Sequence, residues 1–462
     1  MATAAGTGIA VGGFRKTAVD NARLYLATTP GKMTAALAGC IAGAVIMALC
    51  AFGAYHGTRH AVQTVGKDTV PSIVAAERIR ATLGDAHANA MNAVVTGEGE
   101  NGASFKTFRQ DMDKVHADLL IATQNITYGE EESKPILKLM SRLAEYERVL
   151  GQVKTQSGDA ALEAILVANK LMRGEILPAA VELDRANFQH LTDTYTAHRN
   201  HSLMATYPFL IFALATLAAL VATQMYLFKK TRRVLNPAMA AATTIALVFT
   251  LYGAYTLKSV ESTLVTIKQD SFDSIHALWK AKAIAYDANA DESLYLIFRS
   301  RPAEQQKAFA AFAAKALDLV AVEPDEALAA AAEKKKINGL LGDELANVTF
   351  AGEEDAARET LRTWGEYRKI DHQITDLLRQ GRYQEALTLD LGTNQGQSNW
   401  AFDKFDQALG KTLDINQTAF QDSVTRAFKL LAIFPYVLGI ALLAIIIACI
   451  LGMKPRLDEY RF

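Results

Sequence analysis

The chain has 462 residues, of which 50% are hydrophobic, and its formal net charge at pH 7 is −1. This length is sufficient for two or three domains, and a net charge so close to zero excludes a strong overall attraction to nucleic acid. The three cysteines, Cys40, Cys50 and Cys449, lie in apolar stretches. We therefore expect no nucleic-acid partner and no disulfide framework.

The chain begins with a basic stretch before its first long apolar run. In "FRKTAVDNARLYLATTPGKM", Phe14, Ala18, Ala22 and Leu26 would share one face of a helix. An apolar stripe flanked by basic residues is typical of a helix that lies on a membrane surface. We predict such an amphipathic helix within residues 1–32.

Four stretches contain no Asp, Glu, Lys or Arg and are long enough to cross a bilayer. A helix needs about 20 apolar residues to cross the hydrocarbon of a membrane. We predict four transmembrane helices, at residues 33–55, 206–228, 234–257 and 430–453.

The first predicted span contains a pair of glycines one helical turn apart. Gly39 and Gly43 form a GxxxG pattern, which lets another helix approach closely. We expect this face to pack against the second or third span, and the alternative is a contact in a homodimer.

Basic residues next to the spans predict the orientation of the chain. Lys and Arg occur in residues 1–32, in the short hinge 229–233 and in the tail 454–462. Positive charges near span ends mark the cytoplasmic side. We therefore predict a multi-pass protein of the cell membrane with both termini inside, and with residues 58–205 (the first segment) and 258–429 (the second segment) outside.

The hinge itself is a candidate contact site on the inner side. Its cations are Lys229, Lys230, Arg232 and Arg233. Such a cluster can bind an acidic surface of a partner protein or the anionic lipids of the bilayer, and both interpretations stay open.

The two segments contain an internal repeat. "DTVPSIVAAERIRATLGDAHA" (residues 68–88) aligns without gaps with "DSFDSIHALWKAKAIAYDANA" (residues 270–290). Together with the order span, segment, span in each half, this predicts two duplicated extracytoplasmic helical bundles. Strand-like alternation is absent from the sequence, so the predicted fold class is an all-α membrane protein.

Breaks in the helical pattern predict the helices of each bundle. In the first segment the glycines of "TGEGENG" end one helix, and helices are expected at about residues 103–125, 133–154 and 159–205. Short loops between four such helices favour an antiparallel bundle. In the second segment we expect breaks near residues 323–324, in "NVTFAGEED" and in "LGTNQGQSN".

Four aspartates that the repeat aligns are candidate contacts for an external ligand or partner. Asp68 and Asp270 flank the buried face of the predicted helix, whereas Asp85 and Asp287 fall on a more exposed position. Solvation of a helix surface or a salt bridge between helices would explain the same residues.

The sequence contains no recognisable catalytic motif. A phosphate-binding loop, a kinase signature and a Ser/His/Asp arrangement are all absent. We expect a protein that is not an enzyme, with no cofactor and no metal site.

Three stretches resemble one actinobacterial family of four-span membrane proteins. They are "YLATTPGKM", "SNWAFDKFDQALGKTLDINQTAF" and "KPRLDEYRF". Members of that family are encoded beside an amino-acid-binding lipoprotein and the Ser/Thr protein kinase G. Each half of the chain also resembles the four-helix-bundle sensor region of bacterial chemoreceptors and histidine kinases. The resemblance implies that external glutamate, glutamine or aspartate is sensed and relayed to the kinase. The alternative is a structural scaffold or assembly factor of a cell-envelope complex.

Overall fold

The computed structural model describes residues 24–97, 99–126, 129–231 and 236–460. Within these ranges the chain forms α-helices, π-helical turns and loops, and it forms no strand. The predicted all-α class is therefore confirmed. The predicted amphipathic helix lies outside the described residues, apart from a helical turn at 24–27.

From residue 29 onward, the described part of the first half forms six α-helices and two π-helical turns. In chain order they are α1 (Thr29–Gln63), π1 (Thr64–Thr69), α2 (Val70–Thr96), α3 (Ala103–Gln124), α4 (Glu130–Thr155), α5 (Gly158–Leu171), π2 (Met172–Ile176) and α6 (Leu177–Thr231), and the second half begins with α7 (Pro237–Val265). The break predicted at "TGEGENG" and the helices predicted near residues 103 and 133 are present within a few residues.

The second half continues with shorter helices. They are π3 (Thr266–Phe272), α8 (Asp273–Ile297), α9 (Pro302–Leu319), α10 (Pro324–Ala332), α11 (Leu340–Ala346), α12 (Glu353–Arg379), α13 (Tyr383–Leu391), α14 (Ser398–Ala432) and α15 (Phe434–Asp458). All three predicted breaks fall between helices. Helix α14 ends at Ala432 and α15 begins at Phe434, because Pro435 lacks the N–H that a continuing helix requires.

The described helices divide into two compact units. The apolar unit comprises residues 24–62, 196–231, 236–263 and 426–460, and the polar unit comprises residues 63–126, 129–195 and 264–425. Four helical stretches are long and apolar enough to cross a membrane. In the apolar unit Leu214, Leu251 and Ile440 are 64%, 62% and 70% exposed. Such outward apolar side chains suit lipid, which supports a multi-pass membrane protein.

An aromatic cluster around Phe434 holds the apolar unit together. The ring of Phe434 stacks on Tyr55 of α1 at 5.5 Å and lies 6.2 Å and 6.0 Å from Phe249 and Tyr252 of α7. Phe249 in turn meets Phe209 of α6 edge to face at 6.0 Å. One ring of α15 thus connects to all of the other spanning helices.

One glycine of the GxxxG pair lies at a close helix contact. A Cβ atom at Gly43 would be 3.1 Å from Thr216 Oγ1 of α6, whereas a Cβ at Gly39 would meet no described atom within 4 Å. One turn away, Cys40 Sγ lies 3.3 Å from Thr223 Oγ1. The Gly43 face packs against the second span, as the sequence predicted. Gly39 is exposed, and its contact in a homodimer stays a prediction.

Both polar segments belong to the same compact unit. The sequence predicted two bundles, and the structure packs α2 of the first segment side by side with α8 of the second. A Cβ at Gly84 of α2 would lie 3.1 Å from Tyr286 Cβ and 3.4 Å from the Ala283 carbonyl oxygen of α8. The absence of a side chain at Gly84 therefore permits the two backbones to approach closely.

The π-helical turns π1 and π3 occupy equivalent places in the two halves. The alignment of residues 68–88 with 270–290 also matches the start of π1 with the start of π3. Single π-helical turns are rare and are often found at functional positions. Asp68 lies in π1 and Asp270 in π3, so both predicted site residues fall in these turns.

Replacing Gly43 with leucine should destabilise the apolar unit. The new side chain would overlap Thr216 of α6, and overpacking of this kind costs about 1–3 kcal/mol. The measurement is the thermal unfolding temperature of the purified protein in detergent. Gly39→Leu is the matched control, since its side chain meets open space. Equal effects of the two substitutions would contradict the packing described.

Candidate functional site

The contact between α2 and α8, hereafter the seam, contains buried polar side chains. Asn92 of α2 accepts a short hydrogen bond from the Ser293 hydroxyl of α8. Two sets of charged residues lie along the seam, and ion pairs of the first set link the two segments. The first is the Asp287 cluster, made of Arg173, Asp287, Asp291 and Lys315, and the second is the Asp85 cluster described below.

In the Asp287 cluster two cations are shared between two carboxylates. Arg173 of π2 lies 2.9 Å from Asp287 Oδ1 and 2.5 Å from Asp291 Oδ1. Lys315 of α9 lies 2.8 Å from Asp287 Oδ2 and 2.5 Å from Asp291 Oδ2. Arg173 also donates to the Asp287 carbonyl oxygen at 3.0 Å. The first segment is thereby joined to the second through charge-assisted hydrogen bonds.

The cations decide the protonation of this cluster. Burial raises the pKa of Asp287, but Arg173 and Lys315 outweigh burial and lower that pKa to about 2. Burial dominates at Asp291, whose side chain is 0% exposed, and raises its pKa despite the same two cations. Asp287 is therefore the firmly ionised partner of Arg173 at neutral pH.

A buried histidine lies close to the Asp287 cluster. His87 Nδ1 is 2.9 Å from the Tyr146 hydroxyl of α4, and His87 Nε2 is 3.2 Å from Asn169 Oδ1 of α5. Burial lowers the pKa of His87 to about 3, and the charge of Arg173 contributes in the same direction. A neutral His87 thus connects α2 to two further helices of the first segment.

The Asp85 cluster surrounds Asp85, the residue of α2 that the repeat aligns with Asp287. Its members are Asp85, Asp111, Lys114, Lys282 and Asp406. Lys114 pairs with Asp111 at 2.9 Å, and Lys282 of α8 pairs with Asp406 of α14 at 2.5 Å. Burial raises the pKa of Asp85 well above its ordinary value, and the negative charges of Asp111 and Asp406 raise it further. The protonated form of Asp85 is thus favoured.

The structure brings two of the four predicted aspartates to the seam. The expectation that Asp85 and Asp287 occupy an exposed position was wrong, because Arg173 and Lys315 cover Asp287 and Asp85 is largely buried within its cluster. Asp287 is only 17% exposed. Asp270 is half-buried in π3, and the side chain of Asp68 lies outside the described residues. The salt bridge between helices, which the sequence left open, is the arrangement found at Asp287.

Only part of the predicted inner contact site falls within the described ranges. Lys229 and Lys230 lie in the last turn of α6, and both are exposed. Arg232 and Arg233 lie outside the described residues. The docking role of this hinge stays a prediction.

The first segment also contains a cavity of about 530 Å³. It lies where α2 ends, α3 begins, α4 ends and α5 begins. Its walls combine small apolar residues with the side chains of Phe105, Leu150 and Val153, and with Glu100 and Lys154. Cavities of about 300–1,000 Å³ with a few polar groups are typical of small-ligand sites.

Charged groups converge at the edge of this cavity. Lys154 Nζ lies 3.4 Å from the centre of the Phe105 ring, and the Arg109 guanidinium lies 4.7 Å from the same centre. Glu100 bridges the two cations, at 3.4 Å from Lys154 and 3.1 Å from Arg109. Hydrogen bonding to Lys154 lowers the pKa of Glu100, so this carboxylate is ionised at neutral pH.

Sequence reasoning missed Arg173, Lys315 and the cavity. One signal was present: Asp287 and Asp291 are one helical turn apart and would repel each other unless a cation lay between them. The identity of that cation could not be inferred, since Arg173 is distant in the sequence. The cavity depends on how four helix ends meet, which no local pattern specifies.

Comparison with known proteins identifies one relationship. Residues 61–196 match the family model described as an actinobacterial sensor domain. The matched range contains α2 to α5, the cavity and Arg173. No curated protein and no solved structure matches the chain. The match supports an actinobacterial sensor protein, and hence a sensing or signalling role.

Replacing Arg173 with methionine should destabilise the polar unit strongly. Two buried carboxylates would lose a shared cation, and removing one partner of a buried ion pair costs about 3–5 kcal/mol. The measurement is the thermal unfolding temperature at pH 7. Arg148→Met, at an exposed position of α4, is the matched control and should change that temperature little.

The effect of Arg173→Met should also depend on pH. The folded-state pKa of Asp287 is about 2, below the ordinary value of about 3.9, so this pairing stabilises the fold above pH 4. The stabilisation is lost as the pH falls towards 2. The difference in thermal unfolding temperature between the wild type and Arg173→Met should therefore become smaller below pH 4. A constant difference from pH 7 to pH 2 would contradict the role assigned to Asp287.

Proposed function

We propose that the protein is a non-enzymatic transmembrane signal transducer. It senses external glutamate, glutamine or aspartate, delivered by a solute-binding lipoprotein, and relays this to a cytoplasmic Ser/Thr protein kinase. In this proposal the polar unit lies outside the cell and both termini lie inside. The observation that most supports this proposal is the sensor-domain match over residues 61–196. The same range contains the cavity with Lys154 and Arg109 at its edge.

The cavity has the chemistry that an amino acid requires. Glu100 places a carboxylate between Lys154 and Arg109, and the α-carboxylate of a ligand could replace it there. A displaced Glu100 would then be available to the ligand's ammonium group. The apolar wall formed by Phe105 and Val153 would contact the aliphatic part of the ligand. These features suit the carboxylate, the ammonium group and the aliphatic part of an amino acid.

A change at the cavity can reach the seam through α2. The residues of α2 line the cavity at one end of the helix and contact α8 along its length. We propose that ligand binding favours one of two packings of α2 against α8. Helix shifts of about 1–2 Å are sufficient for such switching. The π-helical turns π1 and π3 continue these helices towards the apolar stretches of the sequence, where a change of helix register could be absorbed.

On the inner side, the basic hinge is the proposed contact for the kinase. Lys229, Lys230, Arg232 and Arg233 would present a positive surface to an acidic patch of that partner. The same cations would attract anionic lipids. Lipid binding and kinase docking are compatible roles of the hinge. A shift of the spans would change the distance between the hinge and the lipid surface, and so which of the two it contacts.

Replacing Lys154 with methionine should weaken glutamate binding at least tenfold. The variant removes one of the two cations proposed to hold the ligand's carboxylate, and charge-assisted hydrogen bonds are worth about 1.5–3 kcal/mol. The measurement is titration of the purified full-length protein with L-glutamate by calorimetry. Lys134→Met, at an exposed position of the same helix, is the control. Equal affinities of Lys154→Met and wild type would contradict a ligand site in this cavity.

The relay itself is tested by affinity purification with mass spectrometry from cells grown with and without glutamate. We expect an amino-acid-binding lipoprotein and a Ser/Thr kinase to co-purify. Replacing the four hinge cations with glutamine should remove the kinase and leave the lipoprotein bound. Recovery of cell-envelope machinery instead would contradict the relay and favour a structural scaffold.

A further inference from the structure

A third set of ionisable side chains joins the two segments at the seam. It is the His276 cluster, formed by Glu77 of α2, Asp184 of α6 and His276 of α8. One ligand atom of each residue lies within 4.8 Å of the other two. His276 Nε2 is 3.1 Å from Glu77 Oε1 and 3.1 Å from Asp184 Oδ2.

The hydrogen bonds of this cluster are incomplete. The single N–H at His276 Nε2 is directed at the Asp184 carboxylate, with distances of 3.2 Å and 3.1 Å to its two oxygens. Glu77 is 1% exposed, and neither of its carboxylate oxygens accepts a hydrogen bond from a described residue. The nearest basic side chains to Glu77 are His276, at 3.1 Å, and Arg80, at 3.9 Å. A buried carboxylate without a full set of donors is costly, and a bound metal ion would satisfy its oxygens.

The distances from His276 Nε2 to the two carboxylates are close to those between ligands of a tetrahedral metal ion. Zinc–nitrogen and zinc–oxygen bonds of about 2.0–2.2 Å place neighbouring ligands roughly 3.3–3.5 Å apart at a tetrahedral angle. The observed separations of 3.1 Å from His276 Nε2 to each carboxylate are close to that value. One imidazole and two carboxylates form a ligand set that zinc accepts, with water in the fourth position.

The surroundings hold the imidazole in place. The ring of Phe188 stacks on His276 at 4.5 Å, and the ring of Phe272 lies 6.3 Å away. His276 remains 20% exposed, which leaves a path for an ion and a water molecule. A fixed ligand beside an open coordination position is the arrangement expected of a metal site that exchanges its ion.

We propose that Glu77, Asp184 and His276 bind one divalent transition-metal ion of the zinc type. The ion would be coordinated by α2 and α6 of the first segment and by α8 of the second. It would therefore fix the packing of the seam. The proposal does not depend on the amino-acid ligand, since none of these residues lines the cavity.

The competing occupant of the site is a proton on His276. Burial lowers the pKa of His276, but Asp184 and Glu77 outweigh burial and raise it to about 9. Zinc must therefore displace a proton, as it does at other histidine sites. A protonated ring would still direct only one N–H at two carboxylates that each lie 3.1 Å from it, so the proton alone cannot give both of them a full hydrogen bond.

The test is calorimetric titration of the chelator-treated, tag-free, full-length protein with ZnCl₂ at pH 8. We expect one ion per chain with micromolar affinity or tighter. Glu77→Gln and His276→Gln should each weaken binding at least tenfold. Glu77→Gln keeps the shape of the side chain, so it remains informative if His276→Gln does not fold. X-ray absorption of the zinc-loaded protein should show nitrogen and oxygen ligands at about 2.0–2.1 Å.

The matched control is His190→Gln on α6. His190 lies 2.7 Å from one carboxylate, that of Glu131, and belongs to no three-ligand group among the described residues. This variant should bind zinc as wild type does. Two results would overturn the proposal: no stoichiometric binding to the wild type, or binding that Glu77→Gln and His276→Gln leave unchanged. Absence of stoichiometric binding would mean that a proton on His276, and not a metal ion, occupies the cluster.

Discussion

The arrangement of the polar unit depends on the close contact between α2 and α8. Gly84 permits this contact, since a side chain there would press on Tyr286 and on the backbone of α8. Because the helices approach so closely, charges on one segment meet charges on the other. The His276 cluster lies across this contact, and the Asp287 cluster joins α8 to π2 of the first segment.

Burying so many charges is a poor way to gain stability. Desolvation of a buried ion pair offsets much of its Coulomb energy, whereas separating the pair leaves a costly unpaired charge. Under the proposed mechanism, the clusters would select between packings of α2 and α8 more than they stabilise either one. Arg173 reaches α8 from π2, a local departure from regular helix, so its position also depends on the helix geometry of the first segment. This combination suits a unit that must adopt two defined arrangements.

The sequence predicted the regular parts of the fold well. Uncharged runs identified the spanning helices, and glycine- and proline-containing stretches marked the helix ends, because these signals are local. The packing of two segments into one unit was not predicted, since it depends on residues some 200 positions apart, such as Gly84 and Tyr286. The same limit applies to the site: Asp287 was identified, but its exposure was misjudged because nothing local showed that Arg173 and Lys315 cover it.

The most direct test of the account is whether an amino acid changes the packing of the two segments. Spin labels at Lys106 of α3 and Lys280 of α8, both exposed, would report the distance between segments by pulsed electron resonance, with the three cysteines replaced by alanine. Saturating L-glutamate should shift the mean distance by about 1–2 Å or more, and Lys154→Met should abolish that shift. Identical distance distributions with and without glutamate would contradict the account.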